Sequence, residues 1–192
     1  STRPSLTMAT PTTIRTSRLC QKLSAECGRM TRMPLQNRVL PTQEIVADPG
    51  RGLLMGNRGS LHGPDRRLGT TRWRTKAWIC CVLDWKGIQR DPMPPGRWTA
   101  LFFFDEAVAL AAGHRPCFFC RRPAATAFAA AWAAARGMAH ATAAQIDSVL
   151  HAQRLRGAQK RIHALRVAPG VLPDGATVVV SGEAYVMVSG QA

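Results

Sequence analysis

Acidic residues are scarce in this chain. Eleven Asp and Glu stand against 26 Lys and Arg in 192 residues, a formal charge of +15 and an isoelectric point near 11.2. A solvated surface does not need such an excess, which points to a polyanionic partner, most simply nucleic acid and DNA first. An arginine-rich composition is also what a GC-rich genome imposes, so charge alone does not decide. Long hydrophobic runs are lacking too. The longest, Phe118 to Ala135, is mostly alanine and is broken by Arg121 and Arg122, so no membrane span is expected. An apolar signal-peptide core is missing from the first residues, so the expectation is a cytoplasmic chain without a disulfide framework. There is no Ser/His/Asp arrangement, no phosphate-binding P-loop, no dinucleotide fingerprint and no repeat of fixed period. A hydrophobic content of 46% still excludes a wholly disordered chain.

The organisation expected is a leader, a core and a tail. Residues 1–35 are rich in Ser, Thr and Arg with one acid, Glu26. They read as a disordered basic leader, or as upstream sequence translated ahead of Met30 or Met33, with a targeting peptide as the rival. Cys20 and Cys27 are then incidental. Residues 36–160 are expected to form the core, and 161–192 a loop and a β-hairpin that reads as part of an incomplete sheet. Leu53 to Asp65 is dense in glycine and reads as tight turns. Arg66, Arg67, Arg72, Trp73 and Arg74 follow as a basic patch with one aromatic, suited to a phosphate backbone and a stacked base. The plainer reading is a solvated loop with Trp73 covering a sheet edge.

Lys76 to Trp85 is the best strand. Trp78, Cys80 and Val82 fall on one face, and Ile79, Cys81 and Leu83 on the other. Arg97 to Phe104 is expected to pair with it antiparallel. Asp105 is placed to cap a helix that Gly113 ends. Pro123 suits the first turn of a second helix, with Phe128 and Trp132 on its buried face. Thr142 caps a third, Ala143 to Arg156. Lys160, Arg161, His163 and Arg166 read as exposed. Thr177 to Val180 and Tyr185 to Val188 flank a turn at Ser181-Gly182. The fold class expected is α+β, a small antiparallel sheet with about three helices on one side.

Between the first two helices stands Cys117-Phe118-Phe119-Cys120. Two cysteines three apart at a helix start can hold one metal ion, and zinc suits a thiolate pair. A redox motif is the rival, but it belongs at a strand-to-helix junction in a βαβ unit. Buried inert cysteines are the bland reading.

Asp105-Glu106-Ala107, Ala109, Ala112-Gly113-His114-Arg115-Pro116-Cys117 and Cys120, preceded by Leu101 to Phe104, resemble the second half of the zinc-binding domain of the Ada DNA-repair protein. The resemblance covers about residues 76 to 125. More loosely, GNRGSLH, KAWICC and GHRPCFFCRR are similar to segments of a bacterial protein family without an established activity. The Ada pattern implies two more cysteines, spaced Cys-x-x-x-Cys upstream, one of them the methyl acceptor. That pair is absent, so methyl-phosphotriester repair is not carried over, and the other ligands must come from elsewhere. Cys80 and Cys81 are candidates, but strand neighbours face opposite ways and only one can reach. The set expected is Cys81, Cys117 and Cys120 with His62 or His114.

Asp147 and His151, four apart on the third helix, could form an acid–base cluster with Arg154, or merely a surface pair worth ~0.2–0.5 kcal/mol. Three functions are expected to compete. The first is a zinc-stabilised nucleic-acid-binding module using Arg66, Arg67, Arg72, Trp73, Arg74, Arg121 and Arg122. The second is a metal-assisted hydrolase or nuclease using His114, Asp147 or His151. The third is a protein-interaction module presenting Phe118 and Phe119.

Overall fold

A computed structural model describes residues 33–157 and 159–192. The leader expected over 1–35 lies almost wholly outside them, as do Cys20 and Cys27. The described fold is α+β, built on a mixed six-stranded sheet. In chain order its strands are β1 (Gln36–Val39), β2 (Ile45–Ala47), β3 (Leu54–Asn57), β4 (Ile79–Val82), β5 (Leu101–Phe103) and β6 (Arg115–Pro116). They lie side by side as β2-β1-β5-β3-β4-β6. The β1–β5 and β4–β6 pairs are parallel and the other three are antiparallel.

This corrects the expected sheet in two respects. It is mixed, and β4 and β5 are not neighbours, because β3 lies between them. The glycine-rich segment read as turns supplies this central strand. Gly56 explains how. It faces Cys80 on one side and Leu101 on the other. A Cβ there would stand 2.0 Å from the Ile79 carbonyl oxygen and 3.0 Å from the Phe103 ring. Glycine inside a strand marks such a close approach.

The two faces of the sheet are used differently. On one, Val39, Ile45, Cys80, Leu101 and Phe103 pack with Val108, Ala109 and Ala112 into the hydrophobic core. On the other, Met55 stands opposite both Cys81 and Phe102, and that face carries the cysteine site.

The helices are α1 (Glu106–Ala111), α2 (Arg122–Ala134) and α3 (Ala143–Arg154). Asp105 caps α1 by accepting the Val108 N–H at 2.8 Å. Gly113, at φ +84°, turns the chain after it. Thr142 and Gln145 form a reciprocal capping box on α3, satisfying two N–H groups that the helix leaves free. The third helix stops at Arg154, two residues short of the expected end. There the chain turns extended to pair β7 (Leu155–Arg156) with β8 (Gln159–Lys160). The tail forms the hairpin β9 (Thr177–Val180) and β10 (Glu183–Val186), the second strand two residues earlier than expected. No described helix is long and apolar enough to cross a membrane.

Replacing Gly56 by Ala forces β3 away from β4 or Phe103 out of its place. The expected loss is about 3 kcal/mol, the upper part of the overpacking range, read as a lower urea midpoint.

Candidate metal centre

Strand β6 is only two residues long, yet it builds the site. Its parallel register sets Ile79 beside Arg115 and Cys80 beside Pro116. The Arg115 N–H donates to the Trp78 carbonyl and the Cys117 N–H to the Cys80 carbonyl, both at 3.0 Å. Cys117 is thereby drawn alongside Cys81. A turn follows, closed by the Arg121 N–H on the Cys117 carbonyl at 3.0 Å, and brings Cys120 back. The sulfurs of Cys81, Cys117 and Cys120 lie within 4.8 Å of one another, and none is in a disulfide. These three could hold a metal ion. Alternation along β4 selects Cys81 and excludes Cys80, which is fully buried on the core face.

The electrostatics suit a thiolate at one of the three. Burial pushes the Cys117 thiol up, but hydrogen bonds from the Cys120 and Phe119 backbone outweigh it and hold it below the ordinary value. The Phe119 N–H stands 3.4 Å from the sulfur. Burial, then the neighbouring sulfurs of Cys117 and Cys120, push Cys81 up instead. Sulfurs this close oppose one another's ionisation, and a bound cation would relieve that repulsion. All three border a cavity of about 320 Å³ walled by Met55, Ile79, Trp85 and Trp98 among others.

Neither expected histidine joins them. His62 is held by Thr99 Oγ1 at 2.6 Å and the Pro94 carbonyl at 3.1 Å. His114 is buried in the core face between Trp78 and Phe103, and its Nε2 accepts from Arg58 Nε at 3.3 Å. Burial, then the charges of Arg58 and Arg154, hold its pKa well below the ordinary histidine value. A neutral, enclosed ring there serves packing. Among the described residues no fourth donor joins the sulfurs.

The acid–base cluster is also taken apart. Asp147 turns away from His151 and grips Arg115 with both oxygens, at 2.8 and 2.7 Å, and the pair is buried. His151 Nδ1 faces Arg154 at 3.1 Å, and its ring meets Trp73 edge-on at 4.4 Å. The helical spacing is as expected, but a buried guanidinium is the stronger claimant on a carboxylate than a half-exposed imidazole.

The expected contact arginines divide. Arg66 is paired with Asp91. Arg121 donates to Glu106 at 2.7 Å and to the Cys80 sulfur at 3.1 Å. Arg67, Arg72, Arg74 and Arg122 are exposed, and the one nearby carboxylate, Asp65, stands 3.9 Å from Arg67. Of the two knuckle phenylalanines, Phe118 lies under the Arg115 guanidinium. Phe119 is 70% exposed and leans on Trp85.

The burial of three cations is not foreseen in the sequence, although Arg154 is named there beside Asp147 and His151. Arg58 and Arg154 both lie over the Trp78 ring, at 4.1 and 3.8 Å. Lys160, expected at the surface, is half-buried and donates to the Ala111 carbonyl. Nothing beside them in the sequence marks them for burial, because Trp78 and the Ala111 carbonyl are distant along the chain. Comparison with protein-family models, curated proteins and solved structures finds no match.

Breaking the Arg115–Asp147 pair leaves a buried charge alone, at a cost of about 3–5 kcal/mol. Asp147→Ala and Arg115→Ala should each lower the denaturation midpoint accordingly, and the double variant should cost far less than their sum.

Proposed function

We propose that the chain is a zinc-stabilised nucleic-acid-binding module, with DNA as its first partner. The observation that carries the reading is the continuity of Arg72 and Trp73 with a pocket that also holds Arg58 and Lys160. Exposed arginines on the same loop, Arg67 and Arg74, extend the positive surface outward. Fixed cations beside an aromatic ring are what a phosphate backbone and an unstacked base require. Arg122 contributes separately, while Arg66 and Arg121 serve mainly their own carboxylates. Zinc is the metal proposed for the three sulfurs. Tetrahedral zinc with Zn–S of about 2.3 Å needs sulfurs about 3.8 Å apart, and the three lie within 4.8 Å of one another. The Ada-like half-site, Asp105 to Cys120, fits this role without the methyl-acceptor cysteine.

A second reading, metal-assisted hydrolysis, is favoured by one fact only. The sulfur cluster borders a cavity, and an ion with three protein ligands keeps a position for water or substrate. His114, Asp147 and His151 lie elsewhere, so that reading lacks its expected base.

Purified protein should carry one zinc. Cys81→Ser, Cys117→Ser and Cys120→Ser should each lower the zinc content and the melting temperature, while Cys80→Ser keeps the metal. Equal losses from Cys80 and Cys81 variants would reject the site. Binding to a labelled DNA duplex should weaken steeply with salt, by about 0.9 in log–log slope for each phosphate neutralised. Arg72→Ala and Arg74→Ala should each reduce that slope by about one. Binding insensitive to salt, or absent at low salt, would reject the nucleic-acid reading.

A further inference from the structure

The pocket beside Trp73 has a volume of about 500 Å³, and Arg58, Arg72, Trp73, Trp78 and Lys160 line it. Its floor is cationic. Arg58 is 1% exposed. One of its nitrogens donates to His114 at 3.3 Å and another to the Gln43 carbonyl at 3.2 Å. The third, Nη2, is buried with no partner among the described residues. Arg154 lies behind, its two terminal nitrogens spent on the Gly113 and Lys76 carbonyls at 2.8 and 2.6 Å.

No carboxylate neutralises this group. None of the ion pairs among the described residues includes Arg58, Arg154 or Lys160. Asp147, the nearest acid on α3, is held by Arg115. Glu44 also lines the pocket, but it is solvent-exposed and accepts from Thr42 rather than from any of these cations. The mouth is different in character: Arg72 is exposed and Trp73 half-buried, a cation beside an aromatic wall.

We propose that this pocket binds the phosphate monoester of a nucleotide, the phosphate on Arg58 and Lys160 and the base against Trp73. The nucleotide is either free or the phosphorylated end of a strand, and the strand-end source rests on the nucleic-acid reading above. A monoester fits better than an internal diester, because it brings more negative charge to the buried guanidinium of Arg58. The mutual repulsion of the cations supports the assignment. Burial, then Arg154, lower Arg58 to about 9. Burial, then Arg58 and Arg154, lower Lys160 to about 8. An anion between them removes that repulsion and supplies Nη2 with an acceptor.

The test is calorimetry on the full zinc-loaded chain at one ionic strength. The probes are AMP, adenosine, inorganic phosphate, and a short oligothymidylate bearing a 5′-phosphate, a 3′-phosphate or hydroxyls at both ends. AMP should bind at least about tenfold tighter than adenosine, and one end-phosphorylated strand about tenfold tighter than the hydroxyl-ended one. Lys160→Met should abolish both differences. Arg58→Met should do the same if circular dichroism shows it folded. AMP discrimination without any strand preference supports the pocket with free nucleotide as its ligand. Strand binding that ignores the terminal phosphate, with AMP no better than adenosine, overturns the pocket and leaves the nucleic-acid reading standing. Discrimination that survives Lys160→Met also overturns it.

Discussion

The parallel contact between β4 and β6 is the constraint on which the site depends. Two backbone hydrogen bonds, Arg115 to Trp78 and Cys117 to Cys80, place one cysteine of the knuckle beside Cys81. Each such bond contributes only ~0.5–1.5 kcal/mol net, too little to hold a two-residue strand by itself. Helix α3 supplies the rest. Asp147 holds the Arg115 side chain, and Arg154 reaches the carbonyls of Gly113 and Lys76, just before β6 and β4. The helix therefore clamps both strands from outside the knuckle. Two of the residues that read as an acid–base cluster, Asp147 and Arg154, are its fastenings.

The same clamp brings positive charge inward. Arg154 is 6% exposed, and Arg58 shares the Trp78 ring with it. Taking a cation out of water costs several kcal/mol even after relaxation, of order that of a whole domain's stability margin. Aromatic faces and carbonyl oxygens offset part of this. Burial, with a smaller contribution from the charge of Arg115, brings Arg154 down to about 10 despite the opposing pull of Asp147. Unneutralised charge at a pocket floor is a local instability that an anion relieves. Electrostatics thus ties the fold's cost to a ligand of one sign.

Much of this was legible along the chain because it is local. The caps at Asp105 and Thr142, the left-handed Gly113 and the division of Cys80 from Cys81 follow from spacing and periodicity alone. What was hidden depends on neighbours distant in sequence. Gly56 reads as a turn until Ile79 and Phe103 press on it from two sides. A two-residue strand has no periodicity to detect, so the parallel edge could not be seen. Lys160 looks like a surface lysine, since nothing nearby in sequence announces the Ala111 carbonyl. The choice of Arg115 over His151 by Asp147 is likewise a tertiary competition that helical spacing does not record.

The central claim is that a register set by β6 converts three separated cysteines into one metal shell. X-ray absorption at the zinc edge of the purified chain reads that shell directly. The account predicts three sulfur neighbours at about 2.3 Å. A shell made only of nitrogen and oxygen at about 2.0–2.1 Å, or a chain that binds no zinc, would contradict it.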